Sequence, residues 1–103
     1  MKLSLPTDFD ILEALSDGRR NSAANLAYII GRDRSCINTR LPVLADYRLL
    51  ARVGPAPRSG LYEITERGRA ALDHREDYRR SEADFEDLLT AELSPSDDEV
   101  PSG

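Results

Sequence analysis

The chain has 103 residues and 40% hydrophobic side chains, enough for one domain with a modest core and too little for two. It carries 19 acidic against 14 basic side chains, for a net charge of -5, and only one cysteine, Cys36, and one histidine, His74; this excludes an internal disulfide and a metal cluster of soft ligands. No apolar run approaches the roughly 18 to 20 residues of a membrane span, and residues 1–6 lack the apolar block of a secretory leader, so a cytoplasmic protein is expected.

Thr7 or Asp8 is placed to cap a first helix, with Asp8 and Asp10 in its opening turn, where carboxylates suit the positive end of the helix dipole. Phe9, Leu12 and Leu15 form its apolar stripe, and Gly18 stops it. A second helix starts at Asn21 or Ser22 and runs through Leu26 and Ile30 to Gly31, which supplies the turn. The third begins with Asp33 or Ser35 as its cap and continues to about Tyr47. In it Ile37, Leu41 and Leu44 face inward, while Ser35, Asn38 and Thr39 lie opposite, with Arg34 at the leading end and Arg40 on a flank. Pro42 interrupts this helix by removing the bond to the Asn38 carbonyl, at about 3 kcal/mol if uncompensated, and predicts a kink and not a break.

The hydrophobic period then changes. Leu50 to Gly54 and Leu61 to Thr65 carry strand formers, and the turn between them holds two prolines and a terminal glycine that stiffen the presentation of Arg58. Thr65 is a cap for a further helix from Glu66. With no proline before Pro95, this helix is expected to run to Leu93, its seam of Ala71, Tyr78, Phe85, Leu88 and Leu89 being too long for a small core and therefore a dimer contact. The last ten residues, SPSDDEVPSG, have the composition of a disordered acidic tail. The expected organisation is a domain over 1–72, a dimerisation helix over 73–93 and the tail over 94–103.

A helix, a strand, an arginine-bearing turn and a second strand, after two shorter helices, make a fold that is mainly α with a small β-hairpin: a winged helix-turn-helix followed by a long C-terminal helix. Such a unit places its second helix in the major groove of duplex DNA, about 12 Å wide, where Arg grips guanine and Asn grips adenine bidentately. Charge supports this division of labour. Residues 19–69 hold ten Arg against Asp33, Asp46, Glu63 and Glu66, a local net of +6, whereas residues 73–103 hold three Arg against six Asp and five Glu, a local net of -8. The candidate DNA contacts are Ser22, Arg32, Arg34, Ser35, Asn38, Thr39, Arg40, Arg58 and Ser59. Arg34 and Asn38 read bases, Ser22, Ser35 and Thr39 position phosphates, and Arg58 on the wing reaches phosphate or a narrow minor groove. Cys36 reads as a small half-buried side chain and His74 as a surface or interface residue. No nucleophile and base pair, phosphate-cradling glycine loop or metal box marks an enzyme, and no cofactor is implied. The competing reading is a protein-interaction module whose acidic C-terminal helix docks a basic partner, consistent with a pI near 4.8.

The stretch from Leu12 to Leu72 resembles archaeal winged-helix transcription regulators, most closely the haloarchaeal phage phi-H repressor-like proteins. GPAPRSGLYEITERG resembles the wing and following helix of that group, and LADYRLLARVG the end of its recognition helix. The resemblance covers about 60 of the 103 residues and implies transcriptional regulation or repression on double-stranded DNA, without implying an operator or an effector. The excess of acid and the single lysine, Lys2, fit a halophilic source. In concentrated salt, counterion release contributes little, since a few-fold rise in salt removes about 10³ to 10⁵ of affinity from a protein with 6 to 10 phosphate contacts. Binding must then lean on base contacts and dimer symmetry, which suits arginine's bidentate fork better than lysine.

Overall fold

Helix α1 (Thr7–Ala14) opens the architecture, and the structure, a computed structural model, describes residues 1–54 and 60–93. The turn 55–59, with Arg58 and Ser59, and the expected tail 94–103 lie outside the described residues. No side chain caps α1: Pro6 takes the N-cap position, and Asp8 accepts the Ser4 N–H at 2.7 Å instead. Helix α2 (Ala23–Ile30) has the cap its sequence predicts, with Ser22 Oγ accepting the Asn25 N–H at 3.3 Å. It ends on Gly31, whose φ of +81° is the left-handed conformation that glycine adopts without steric cost.

Helix α3 (Arg34–Asp46) follows after a three-residue turn and remains helical through Pro42. Ile37, Leu41 and Leu44 are buried on its inner side, as their spacing requires. Strands β1 (Leu50–Val53) and β2 (Leu61–Ile64) then pair antiparallel, from Leu50 opposite Ile64 to Val53 opposite Leu61. A further rung joins the hairpin to the α1–α2 connection, because Asn21 and Tyr62 exchange two backbone hydrogen bonds of 3.0 Å each. Thr65 Oγ1 accepts the Gly68 N–H at 2.9 Å and lies 2.7 Å from the Arg48 carbonyl, so one hydroxyl caps α4 (Glu66–Asp73) and ties it to the end of α3.

The single long C-terminal helix expected from the sequence is divided in three. After α4 the chain turns at His74, continues as α5 (Arg75–Arg80), becomes extended at Ser81 and resumes as α6 (Glu82–Leu93). The turns let the apolar positions fold back on α1. Phe9, Tyr78 and Phe85 meet edge to face, with centroids 5.1 to 6.3 Å apart, an arrangement favoured by aromatic quadrupoles. Ala71, Phe85 and Leu89 are completely buried in the chain's own core, beside Ile11, Leu12, Leu26, Leu41 and Leu44. Those three side chains are therefore not available to a second copy, Tyr78 is half-buried, and Leu88 alone of the expected seam faces out. Residues 73–93 thus complete the core of the domain.

The N-terminal segment straps the two ends of the molecule together. The Lys2 N–H donates to the Tyr47 hydroxyl at 3.0 Å, the Leu3 N–H donates to the Tyr78 hydroxyl at 2.9 Å, and the Met1 ammonium meets both Glu86 oxygens at 3.0 Å. Among the described residues, no helix is long and apolar enough to cross a membrane.

Candidate nucleic-acid interface

The outward side of α3 presents Arg34, Ser35, Asn38 and Thr39, all exposed. Burial of Ile37, Leu41 and Leu44 fixes this orientation, because residues on the opposite side of the wheel from a buried stripe face solvent. The face is polar, short-chained at its centre and positively charged at its N-terminal end. Thr39 Oγ1 donates to the Ser35 carbonyl at 2.9 Å, a bond within the helix that leaves the hydroxyl oxygen outward as an acceptor. Among the described residues, Arg34 and Asn38 side chains have no hydrogen-bond or ion-pair partner. Both are free to meet a ligand.

Two of the other candidate contacts are engaged elsewhere. Arg40 does not face outward: its Nε and Nη2 donate to the two oxygens of Asp8 at 2.9 and 2.8 Å, and Asp8 is fully buried. The hydrogen bond to Asp8 holds the Arg40 guanidinium above its ordinary pKa, against a burial that lowers it. Arg32 reaches Asp10 at 3.4 Å and is half-buried, with its Nε enclosed and without a partner. The first-turn carboxylates of α1, legible in sequence only as dipole partners, thus serve as counter-charges to Arg40 on α3 and to Arg32 in the turn before it. Ser22 is half-buried and accepts as a cap, which leaves its hydroxyl proton to donate. Ser35 lies on the free face, and Arg58 and Ser59 lie outside the described residues.

The local +6 of residues 19–69 is correspondingly muted. Arg19 pairs with Asp17, Arg20 with Glu63, Arg67 donates to the Tyr47 carbonyl and Arg69 to the Ser16 carbonyl. The Arg52 guanidinium sits over the Tyr62 ring at 5.8 Å on the hairpin, a cation–π contact across the two strands. Arg52 and Asn25 are exposed polar residues close to this side that the sequence reading passed over. The alternation of β1 and the first turn after Ser22 were the signals for them. Cys36 is exposed, not half-buried as its size suggested, because it precedes Ile37 by one residue, about 100° round the wheel and off the core stripe. His74 is half-buried, with Nδ1 3.2 Å from an Asp77 oxygen. Among the described residues, no group of three His, Cys, Asp or Glu side chains is arranged to hold a metal ion.

No family model matches the sequence, and no curated protein does. Solved structures do resemble the fold. Rv1404 from Mycobacterium tuberculosis superposes with a TM-score of 0.62 at 24% identity over 95% of this chain and 65% of its own. The adhesin competence repressor AdcR from Streptococcus pyogenes gives 0.59 at 18% identity over 92% of this chain and 71% of its own. Oxidized MarR from E. coli gives 0.56 at 19% identity over 87% of this chain and 64% of its own. The chain therefore spans about two thirds of the length of these proteins and shares their winged-helix architecture, a mostly helical domain with one two-stranded antiparallel hairpin.

Proposed function

We propose that this chain is a sequence-specific regulator of transcription that binds double-stranded DNA, acts as a homodimer and represses. The observation that carries the reading is the outward face of α3, where unpaired Arg34 and Asn38 stand beside Ser35 and Thr39 on a helix whose opposite side is locked into the core. Arg and Asn are the side chains that match guanine and adenine edges, and the Ser35 hydroxyl can donate to a phosphate oxygen, as Thr39 can once its proton leaves the Ser35 carbonyl. Ser22, Arg52, Arg58 and Ser59 are assigned to contacts with the DNA backbone. Arg32 and Arg40 act differently, as the clamps that orient the helix. The resemblance to haloarchaeal phi-H repressor-like proteins supports repression in a salt-rich cytoplasm, and AdcR, one of the structures with this fold, is itself named a repressor.

A two-fold dimer would present two such helices to half-sites about one turn of DNA apart. With Ala71, Phe85 and Leu89 buried, the surface left for it on the C-terminal helices is exposed Leu88 with Ala91, framed by Asp77, Asp84 and Asp87. Selection from random duplexes at multimolar KCl tests the DNA assignment, comparing wild type with Arg34→Ala plus Asn38→Ala. Enrichment of a half-site repeat that the double variant fails to bind is expected. Recovery of no common sequence, or equal binding by the variant, overturns it.

A further inference from the structure

The end of α3 is built against backbone propensity. Arg48 has a φ of +66° at the position following the helix, where the Leu49 N–H reaches back to the Leu44 carbonyl at 3.0 Å. That position favours glycine, since a Cβ in the left-handed conformation crowds the backbone, and α2 closes in this way on Gly31. An arginine is held there instead. Its side chain lines a cavity of about 440 Å³ with Asp46, Tyr47, Arg67, Met1 and Glu86, between the end of the reading helix and the C-terminal helices.

The charges in this cavity are only partly matched. Glu86 is neutralised by the Met1 ammonium at 3.0 Å, and Arg67 spends its Nε on the Tyr47 carbonyl at 3.1 Å, which leaves the terminal nitrogens of its fork. Among the described residues, the Asp46 carboxylate and the Arg48 guanidinium have no hydrogen-bond or ion-pair partner. Two guanidiniums and one carboxylate thus border a shared space without closing on each other. We propose that this cavity binds a free α-amino acid with an apolar side chain. Arg48 and Arg67 take its carboxylate, Asp46 takes its ammonium, and the side chain lies against Met1 and the Tyr47 ring; a volume at the small end of ligand sites suits a molecule of this size. The site is separate from the outward face of α3, and its binding does not depend on the DNA reading.

Isothermal titration of the full chain with L-leucine, isocaproate and isoamylamine tests it, since the second lacks the ammonium and the third the carboxylate. Leucine is expected to bind saturably with Kd on the order of 1 mM or tighter, and each analogue about tenfold more weakly. Arg48→Gly is expected to abolish leucine binding while leaving the melting temperature unchanged or higher, because glycine relieves the left-handed conformation. Asp46→Asn should reduce leucine to the affinity of isocaproate. Absence of saturable leucine binding, undiminished binding in Arg48→Gly, or isoamylamine binding as tightly as leucine would each overturn the proposal.

Discussion

The buried carboxylate of Asp8 receives Nε and Nη2 of Arg40 at 2.9 and 2.8 Å, so α1 holds α3 through a bidentate ion pair. Asp8 also accepts the Ser4 N–H at 2.7 Å, which leaves the carboxylate well satisfied. Asp8→Ala removes the counter-charge from a guanidinium that is 21% exposed, and should cost about 3 kcal/mol, the low end for breaking a buried pair because water reaches one side of Arg40. Urea denaturation at neutral pH measures this, and a loss under about 1 kcal/mol would show the clamp to be dispensable. The pKa of Arg40 is raised by its bond to Asp8, so its stabilising contribution is present in full below the ordinary arginine value and is lost only as pH rises through the folded value. Arg40 itself should add no pH dependence near neutrality.

Arg34 and Arg40 lie six positions apart on one helix and should separate cleanly in experiment. Arg34→Ala, at an exposed and unpaired position, should leave stability within about 0.5 kcal/mol while weakening the selected duplex by about 1 to 3 kcal/mol and relaxing preference at one base. Arg40→Ala should do the reverse, lowering the unfolding midpoint and affecting affinity only through loss of fold. Parallel binding and denaturation curves check both; equal losses of stability would place Arg34 in the scaffold.

Phe85 fills the contact between Phe9 and Tyr78 and has no exposed surface. Phe85→Ala should cost about 3 to 5 kcal/mol, the range for emptying a buried aromatic site, and a chain ending at Leu72 should lose cooperative unfolding altogether. Leu88→Asp, at an exposed position, should leave the unfolding midpoint close to wild type and shift any dimer to monomer. Light scattering beside thermal melts distinguishes these outcomes. A Leu72-terminated chain that melts cooperatively would show that the C-terminal helices stand apart from the domain.

The elements that local chemistry decides were legible in the sequence. Ser22 and Thr65 cap their helices with the hydroxyl bonds their positions predict, Gly31 takes the left-handed turn, and Ile37, Leu41 and Leu44 bury the stripe their spacing describes. The breaks at His74 and Ser81 were not, because no proline or glycine marks them. They follow from tertiary packing, in which Tyr78 reaches the Leu3 backbone and Phe85 turns onto Phe9. The fate of Arg32 and Arg40 was hidden for a similar reason. A helical wheel puts Arg40 on a flank and leaves Arg32 in the preceding turn, and only the packing of α1 reveals Asp8 and Asp10 opposite them.

Gly68 is the point where α4 passes closest to the hairpin. A Cβ built there would collide with the Leu49 carbonyl oxygen and stand 2.8 Å from Ile64 Cγ1. Gly68→Ala gains about 1 kcal/mol of helix propensity and should lose more than that, because the obstacle is backbone and cannot swing aside; a net destabilisation of about 1 to 3 kcal/mol is expected. Equilibrium unfolding in urea checks the sign, and a stabilised variant would mean that α4 can retreat from β1 without loss.

Pro42 lies on the exposed side of α3, four residues after Asn38, whose carbonyl it deprives of an N–H donor. The placement explains how the helix persists: a carbonyl on the solvent side can be hydrated, whereas one on the Leu41 side would be buried and unsatisfied. Pro42→Ala restores the missing bond, partly offset by the greater freedom it gives the unfolded chain, and should stabilise the fold by about 1 to 2 kcal/mol. If α3 reads bases, the same change closes off the outward Asn38 carbonyl as an acceptor. The variant should then be more stable yet bind the selected duplex more weakly, by about 1 kcal/mol or more. Melting and binding measured on the same preparation decide between this and a purely tolerated proline, for which affinity would follow stability upward or remain unchanged.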